Sequence, residues 1–150
     1  MLYFDEKKLK AIAATIHKAL NPSGVVIWTT EDAGMRVQTA IGSPLSGPLP
    51  PVLDKKLTLG YLVCELNRTL VFDDTLRQPL LAGSDAIKIM GIMAYVGAPF
   101  HFEERAVGGV SAVHQHARSW TASEVQTVEN AAIELSGLVE SSPSIPTGNS

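Results

Sequence analysis

The sequence predicts an α+β fold, a central and mainly antiparallel sheet with helices on both of its faces. Strand-like segments come in adjacent pairs joined by short turns, which makes neighbouring strands antiparallel. Helical periodicity opens and closes the chain, and the helical segments lie far enough apart in sequence to cover both faces of a sheet. With 45% hydrophobic and 18% charged residues, a chain of 150 residues supports one packed core and argues against both disorder and a two-domain division.

Leu9, Ile12, Ala13, Ile16 and Leu20 fall on one stripe of a first helix. Asp5 is placed to cap it, Phe4 to staple onto Leu9, and Asn21-Pro22-Ser23-Gly24 to end it. Residues 25–30 are β-branched and aromatic, and 31–34 supply turn residues. Met35, Val37, Thr39 and Ile41 then alternate with more polar neighbours, so the segment reads as a hairpin. Residues 42–51, rich in Pro, Gly and Ser, read as an irregular loop. Residues 52–66 carry apolar side chains on more than one helical face and read as a helix packed on the sheet, with Gly60 available for close backbone approach. Residues 69–72 form a short strand, 73–83 a loop, and 84–90 a short helix that Ser84 can cap.

Residues 91–102 and 106–114 are two further strands, which Glu103-Glu104-Arg105 can join as a second hairpin. Thr121 and Glu124 have the spacing of a capping box, and Trp120 and Val125 that of a hydrophobic staple. Val125, Val128, Ala132, Leu135 and Val139 continue one face of the last helix. Residues 141–150 are polar, contain Pro and lack a period. They read as a loose tail behind a single domain over residues 1–140.

Composition removes several function classes. A net charge of −3 gives no global positive field to gather phosphates, so no nucleic-acid partner is expected. No apolar run approaches the roughly 18 to 20 residues that span a bilayer, and residues 1–9 carry charge where a signal peptide needs its apolar region. The expected location is cytoplasmic, without a membrane partner. The single Cys64 excludes an internal disulfide, a multi-cysteine zinc site and a Cys-X-X-Cys redox site. There is no phosphate loop, dinucleotide fingerprint or nucleophile elbow, and Gly108-Gly109 falls within a strand, where glycine serves close packing or a bulge.

The second half of the chain carries a run of recognisable segments. They are Leu70-Val71-Phe72-Asp73-Asp74, Gln78-Pro79, 91–100 (GIMAYVGAPF), Val107-Gly108-Gly109-Val110 and 118–124 (RSWTASE). In order and spacing they resemble a GAF domain, and the resemblance covers essentially the whole chain. It implies a sheet of about six antiparallel strands with the first and last helices together on one face. It also implies a small-molecule cavity on the other face, under the helices and loops between the second and fifth strands.

A ligand pocket needs apolar walls and a few convergent polar groups. The candidates are Trp28, Phe72 and Tyr95 as aromatic walls, Asp73 and Asp74 as carboxylates for an amine or guanidinium, and Arg77 for an anion, with Ser111 and His114 on the strand over 106–114. Each has a structural alternative: the aromatics as core, Asp74 bound to backbone N–H groups of its own loop, and Arg77 as a surface charge. Ser111 and His114 sit at opposite parity, so at most one of them faces a given cavity without a bulge. His114 and His116 share parity and could bridge a metal, but two ligands do not close a site; one histidine could alternatively hold a haem. His17 and His101 read as solvent-facing, and Cys64 as a small apolar group or, if exposed, a redox thiol.

Departures from the resembled family narrow its subtypes. The residues after His114-Gln115 largely lack the pattern of cyclic-nucleotide-binding members. Cys64 is followed by Glu65 where a bilin-bearing cysteine precedes histidine, and one thiol cannot complete the intramolecular cycle of a free methionine sulfoxide reductase. The expectation is therefore a non-enzymatic sensory domain that binds an unknown small molecule, without a firm cofactor. It would signal through its terminal helices, as a homodimer or to a kinase, phosphatase or transcription factor. Ala11, Ala14, Ala131 and Ile133 offer apolar surface for pairing. The alternatives are a ligand-free docking or dimerisation module, a redox, metal or haem sensor, and, at fold level, a profilin-like roadblock arrangement.

Overall fold

A computed structural model of the chain describes residues 2–32, 34–42, 52–55, 58–79 and 81–141. The elements run β1 (Leu2–Tyr3), α1 (Glu6–Leu20), β2 (Gly24–Glu31), β3 (Gly34–Gly42), β4 (Val52–Leu53), α2 (Gly60–Leu66), β5 (Leu70–Phe72), a 3-10 turn (Thr75–Arg77), α3 (Asp85–Lys88), β6 (Ala94–Phe102), β7 (Arg105–His114), α4 (Ala122–Leu138) and β8 (Glu140–Ser141). Six strands form one sheet in the order β4-β3-β2-β7-β6-β5, and every neighbouring pair is antiparallel. This is the α+β architecture expected, with helices on both faces. No described helix is long and apolar enough to cross a membrane.

The helix ends obey local chemistry. The Asp5 carboxylate accepts the backbone N–H groups of Lys7 and Lys8 at 3.0 and 3.4 Å, and Asn21 ends α1 in the left-handed conformation. Thr121 and Glu124 form the full capping box at the start of α4. The β6–β7 hairpin turns through Glu103 and Glu104, both at positive φ (52° and 68°). That conformation, which suits the twist of a two-residue hairpin, is one that Asn-Gly adopts more readily.

Strand alternation sends side chains to two separate cores. Val25, Ile27, Val96, Ala98, Phe100, Val110 and Ala112 pack under α1 and α4, against Leu9, Ile16, Val128 and Leu135. Val26, Trp28, Tyr95 and Val113 pack on the opposite face, under α2 and α3. The alternation expected for Met35, Val37, Thr39 and Ile41 does not persist along β3. The register steps between Ile27↔Thr39 and Trp28↔Val37, leaving Gln38 as an extra residue. Met35 and Val37 therefore join the α2/α3 core with Ala40, whereas Ile41 packs on the α1/α4 core.

Four local expectations change. Residues 52–66 are not one helix: Val52–Leu53 pairs with Arg36 and Met35 as edge strand β4, and the helix begins at Gly60. The short helix over 84–90 contracts to Asp85–Lys88, and the Ser84 side chain makes no capping bond. The strand over 91–102 begins at Ala94, because Gly91 takes a positive φ of 70°. Ser141 lies in β8, paired with Leu2, while the rest of the expected tail and loop residues 43–51 lie outside the described residues.

Candidate functional site

The α2/α3 face carries a small cavity of about 30 Å³. Its walls are mainly Val26, Met35, Leu59, Ile92 and Val113, and at its head stand Trp28, Ser111 and Tyr95. Trp28 reaches that place because β2 sits at the centre of the sheet, and because Gly60 and Gly109 leave room for its indole. A Cβ at Gly60 would lie 2.8 Å from the Trp28 ring, and one at Gly109 would overlap the ring's far edge. Gly109 thus serves close packing, as its strand position implied.

The three polar side chains are buried and joined. The Trp28 indole N–H donates to Ser111 Oγ at 3.3 Å, and Tyr95 Oη and Ser111 Oγ share a bond of 2.5 Å. Burial pushes the Tyr95 phenol above its ordinary range, the hydrogen bond with Ser111 only partly opposing this, so the group is neutral at any physiological pH. The Phe72 ring lies 6.4 Å from the Tyr95 ring, behind it at the sheet edge. Four of the eight candidate residues therefore cluster at this face.

The other four lie elsewhere. Asp73, Asp74 and Arg77 line an open cleft of about 700 Å³ together with Gln78, Arg118 and Ser119. Within it Asp74 accepts the N–H of Leu76 at 3.2 Å and lies 3.4 Å from Arg77, whose side chain is 86% exposed, so Asp74 does bind its own loop. Asp73 Oδ1 accepts the N–H of Trp120, and its carbonyl accepts that of Arg118. His114 lies outside both places, with Nδ1 accepting the Ser23 N–H at 3.0 Å. Burial, then Arg118, then His116 hold its pKa below the ordinary value. The opposite parity of Ser111 and His114 is realised.

The metal and redox candidates gain no partners. His114 and His116 have ring centroids 6.1 Å apart, and among the described residues no group of three or more His, Cys, Asp or Glu gathers to hold an ion. Cys64 Sγ is 3.5 Å from the Gly108 carbonyl, and burial pushes its thiol up to about 12. Such a thiol carries almost no thiolate near pH 7.

Sequence reasoning missed the residues that tie this face to α4. Arg118 donates to the carbonyls of Leu20 and Asn21, pairs with Glu124 at 2.8 Å and lies 4.3 Å from the Trp120 ring centroid. Trp120 donates its indole N–H to the Phe72 carbonyl, and Thr69 donates to Glu129 of α4 at 2.8 Å. Edge strand β5 and the residue before it are thus bonded, around the side of the sheet, to α4 and to the segment that enters it. The signal in sequence was only the RSWTASE segment, which marks the helix start but not its distant partners.

The GAF domain family model matches residues 6–138. No curated protein sequence matches the chain. Among solved structures, a type II free methionine-R-sulfoxide reductase from Thermoplasma acidophilum superposes with a TM-score of 0.71 at 10% identity, covering 89% of this chain and 90% of that one. The photoproduct state of GAF3 from Slr1393 of Synechocystis sp. PCC6803 gives 0.68 at 16%, covering 88% and 91%. A domain of a two-component sensor histidine kinase protein from Sinorhizobium meliloti 1021 gives 0.64 at 18%, covering 88% of each chain. At these identities the likeness is one of fold.

Proposed function

The chain belongs to the GAF domain family, and from that premise we propose that it is a non-enzymatic, cytoplasmic sensory module that binds a small molecule beneath α2 and α3. The observation that carries this reading is the buried Trp28–Ser111–Tyr95 group at the head of an otherwise apolar cavity. Occupancy would shift a conformational equilibrium as far as the ligand prefers one state. Its path outward is the bonded edge: α2 and β5 lead through Thr69–Glu129 and Phe72–Trp120 to α4. From there it passes to a second copy of the chain or to a kinase, phosphatase or transcription factor. Ile133 on α4 is 70% exposed and available to such a contact.

Solved neighbours include methionine sulfoxide reductases and light-sensing GAF domains. The non-enzymatic reading is favoured by Cys64, which is the sole cysteine and is held as a protonated thiol. A second reading, a docking module that fills its pocket with its own side chains, is favoured by the small volume of the cavity, about 30 Å³. Native mass spectrometry of freshly purified protein against its denatured mass, followed by thermal shift across a metabolite panel, separates the two. The sensory reading expects a retained non-covalent mass or a saturable rise in Tm. An apo spectrum with no shift across the panel supports the docking module instead.

A further inference from the structure

We propose that the α2/α3 pocket selects a compact, uncharged and largely apolar molecule carrying one hydrogen-bond acceptor; this rests on the reading of that face as the ligand-binding one. Trp28, Ser111 and Tyr95 bring three polar hydrogens into a region where each residue is at most 2% exposed. The indole hydrogen goes to Ser111 Oγ, and the two hydroxyls share one bond. If Tyr95 donates, the Ser111 hydrogen is left over; if Ser111 donates, the Tyr95 hydrogen is left over. Among the described residues neither hydroxyl has a further acceptor.

A buried donor without an acceptor is unfavourable, and an acceptor placed in the cavity removes that cost. A water would fit the volume of about 30 Å³, yet beyond that donor and a free hydroxyl lone pair it would meet mostly hydrocarbon, the low end of what an interior water ordinarily holds. It is therefore readily displaced by a molecule with one acceptor and an apolar body.

Charge sets the second part of the selection. The described lining consists of Val, Leu, Ile, Met, Trp, Thr, Tyr and Ser, with the one ionisable group, Tyr95, kept neutral by burial. A carboxylate, phosphate or ammonium would lose its hydration there without a counter-charge. Size is adjustable, because Met35 and Met90 are unbranched and can repack around a guest. Access is also visible. Thr58 and Leu59 wall the cavity on one side and an outer pocket of about 280 Å³ on the other, lined further by Tyr61, Leu81 and Ser84. Swinging the Leu59 side chain aside joins the two spaces.

The test uses the full chain, ¹⁵N-labelled, and three probes of similar shape: cyclopentanone, methylenecyclopentane and cyclopentanecarboxylate. The chain has two tryptophans, so the Trp28 Nε1–H resonance reports the pocket and that of Trp120, bonded to Phe72, serves as the internal control. Cyclopentanone is expected to shift Trp28 saturably while Trp120 stays in place, with the alkene about tenfold weaker for want of the acceptor. The carboxylate is expected to do nothing at the same concentration. Val113→Ile, which adds a methyl to the cavity wall, is expected to abolish the ketone shift while the Trp120 resonance reports an intact fold. Val26→Ile, on the neighbouring strand, should do the same.

Equal affinity for the ketone and the alkene, or ketone binding undiminished in both variants, overturns the proposal. A carboxylate or a free amino acid that shifts Trp28 at least as strongly as the ketone overturns the ligand class while leaving the ligand-binding face standing. No shift from these probes or from a panel of charged and neutral metabolites overturns both.

Discussion

On one face of the sheet α1 and α4, 15 and 17 residues long, lay continuous apolar stripes over the strands; on the other, α2 and α3 have 7 and 4 residues. The long helices are capped by Asp5 and by the Thr121–Glu124 box, and their core is aliphatic with aromatic inserts. Of the short helices, α3 has no side-chain cap, and α2 has the Thr58 hydroxyl, which accepts the Gly60 N–H at 2.8 Å. Beneath them lie methionines, a cavity and the buried polar group, and Ser84 Oγ beside them is buried without a hydrogen-bond partner among the described residues. A helix of one or two turns gains little from its own hydrogen bonds and depends on its packing. The difference therefore assigns rigidity to one face and local rearrangement to the other, with β5 and its bonds to α4 as the join between them.

Truncation is the strongest way to break this comparison. Leu135→Ala, at a fully buried position on α4, is expected to cost about 2–5 kcal/mol in urea unfolding, as large-to-small changes in tight cores do. Met90→Ala, half-buried on the other face, is expected to cost less than about 1 kcal/mol because the site is already loose. Equal losses would remove the distinction.

Ser111→Ala comes next, at about 1–3 kcal/mol, since it strands the Trp28 N–H and the Tyr95 hydroxyl together. Near-UV circular dichroism should change with it, because the Trp28 indole N–H loses its hydrogen-bond acceptor, Ser111 Oγ. A cost near zero would mean that the polar group is not held as described.

How much of this was legible beforehand follows the range of the interactions. Asp5, Asn21, Thr121 and Glu124 act on backbone within a few residues, so their roles are visible in the chain itself. The hairpins and the period of α1 and α4 are visible for the same reason. Val52–Leu53 is different: its apolar residues suit either a helix or a strand, and only pairing with β3, across residues far away in sequence, decides the matter. Gln38 is likewise invisible, because a bulge is a relation between two strands. At the candidate site, the types of Trp28, Tyr95 and Ser111 marked them, but their convergence depends on register. Asp73 looked like a ligand carboxylate because its partner, the Trp120 N–H, lies 47 positions away.

Smaller effects sharpen the join. Thr69→Val and Glu129→Ala, measured singly and together, are expected to show a coupling of about 0.5–1 kcal/mol, since the two side chains share one half-buried bond. Additivity would cut the proposed path from β5 to α4.

The smallest effect is in pH. Burial, Arg118 and His116 hold the native pKa of His114 below the ordinary 6.5, and its Nδ1 must stay unprotonated to accept the Ser23 N–H. As pH falls below about 6.5 the unfolded chain takes up that proton first, so stability should decline down to the lowered native pKa and then level. His114→Asn should flatten this part of the profile, and an unchanged slope would locate it in another group.

Native-state hydrogen exchange tests the central contrast most directly, because it reads opening free energy amide by amide. Amides of α1 and α4 are expected to exchange only with global unfolding, while those of α2 and residues 85–92 open at a free energy lower by about 2 kcal/mol or more. Exchange of both faces at one common free energy would contradict that contrast.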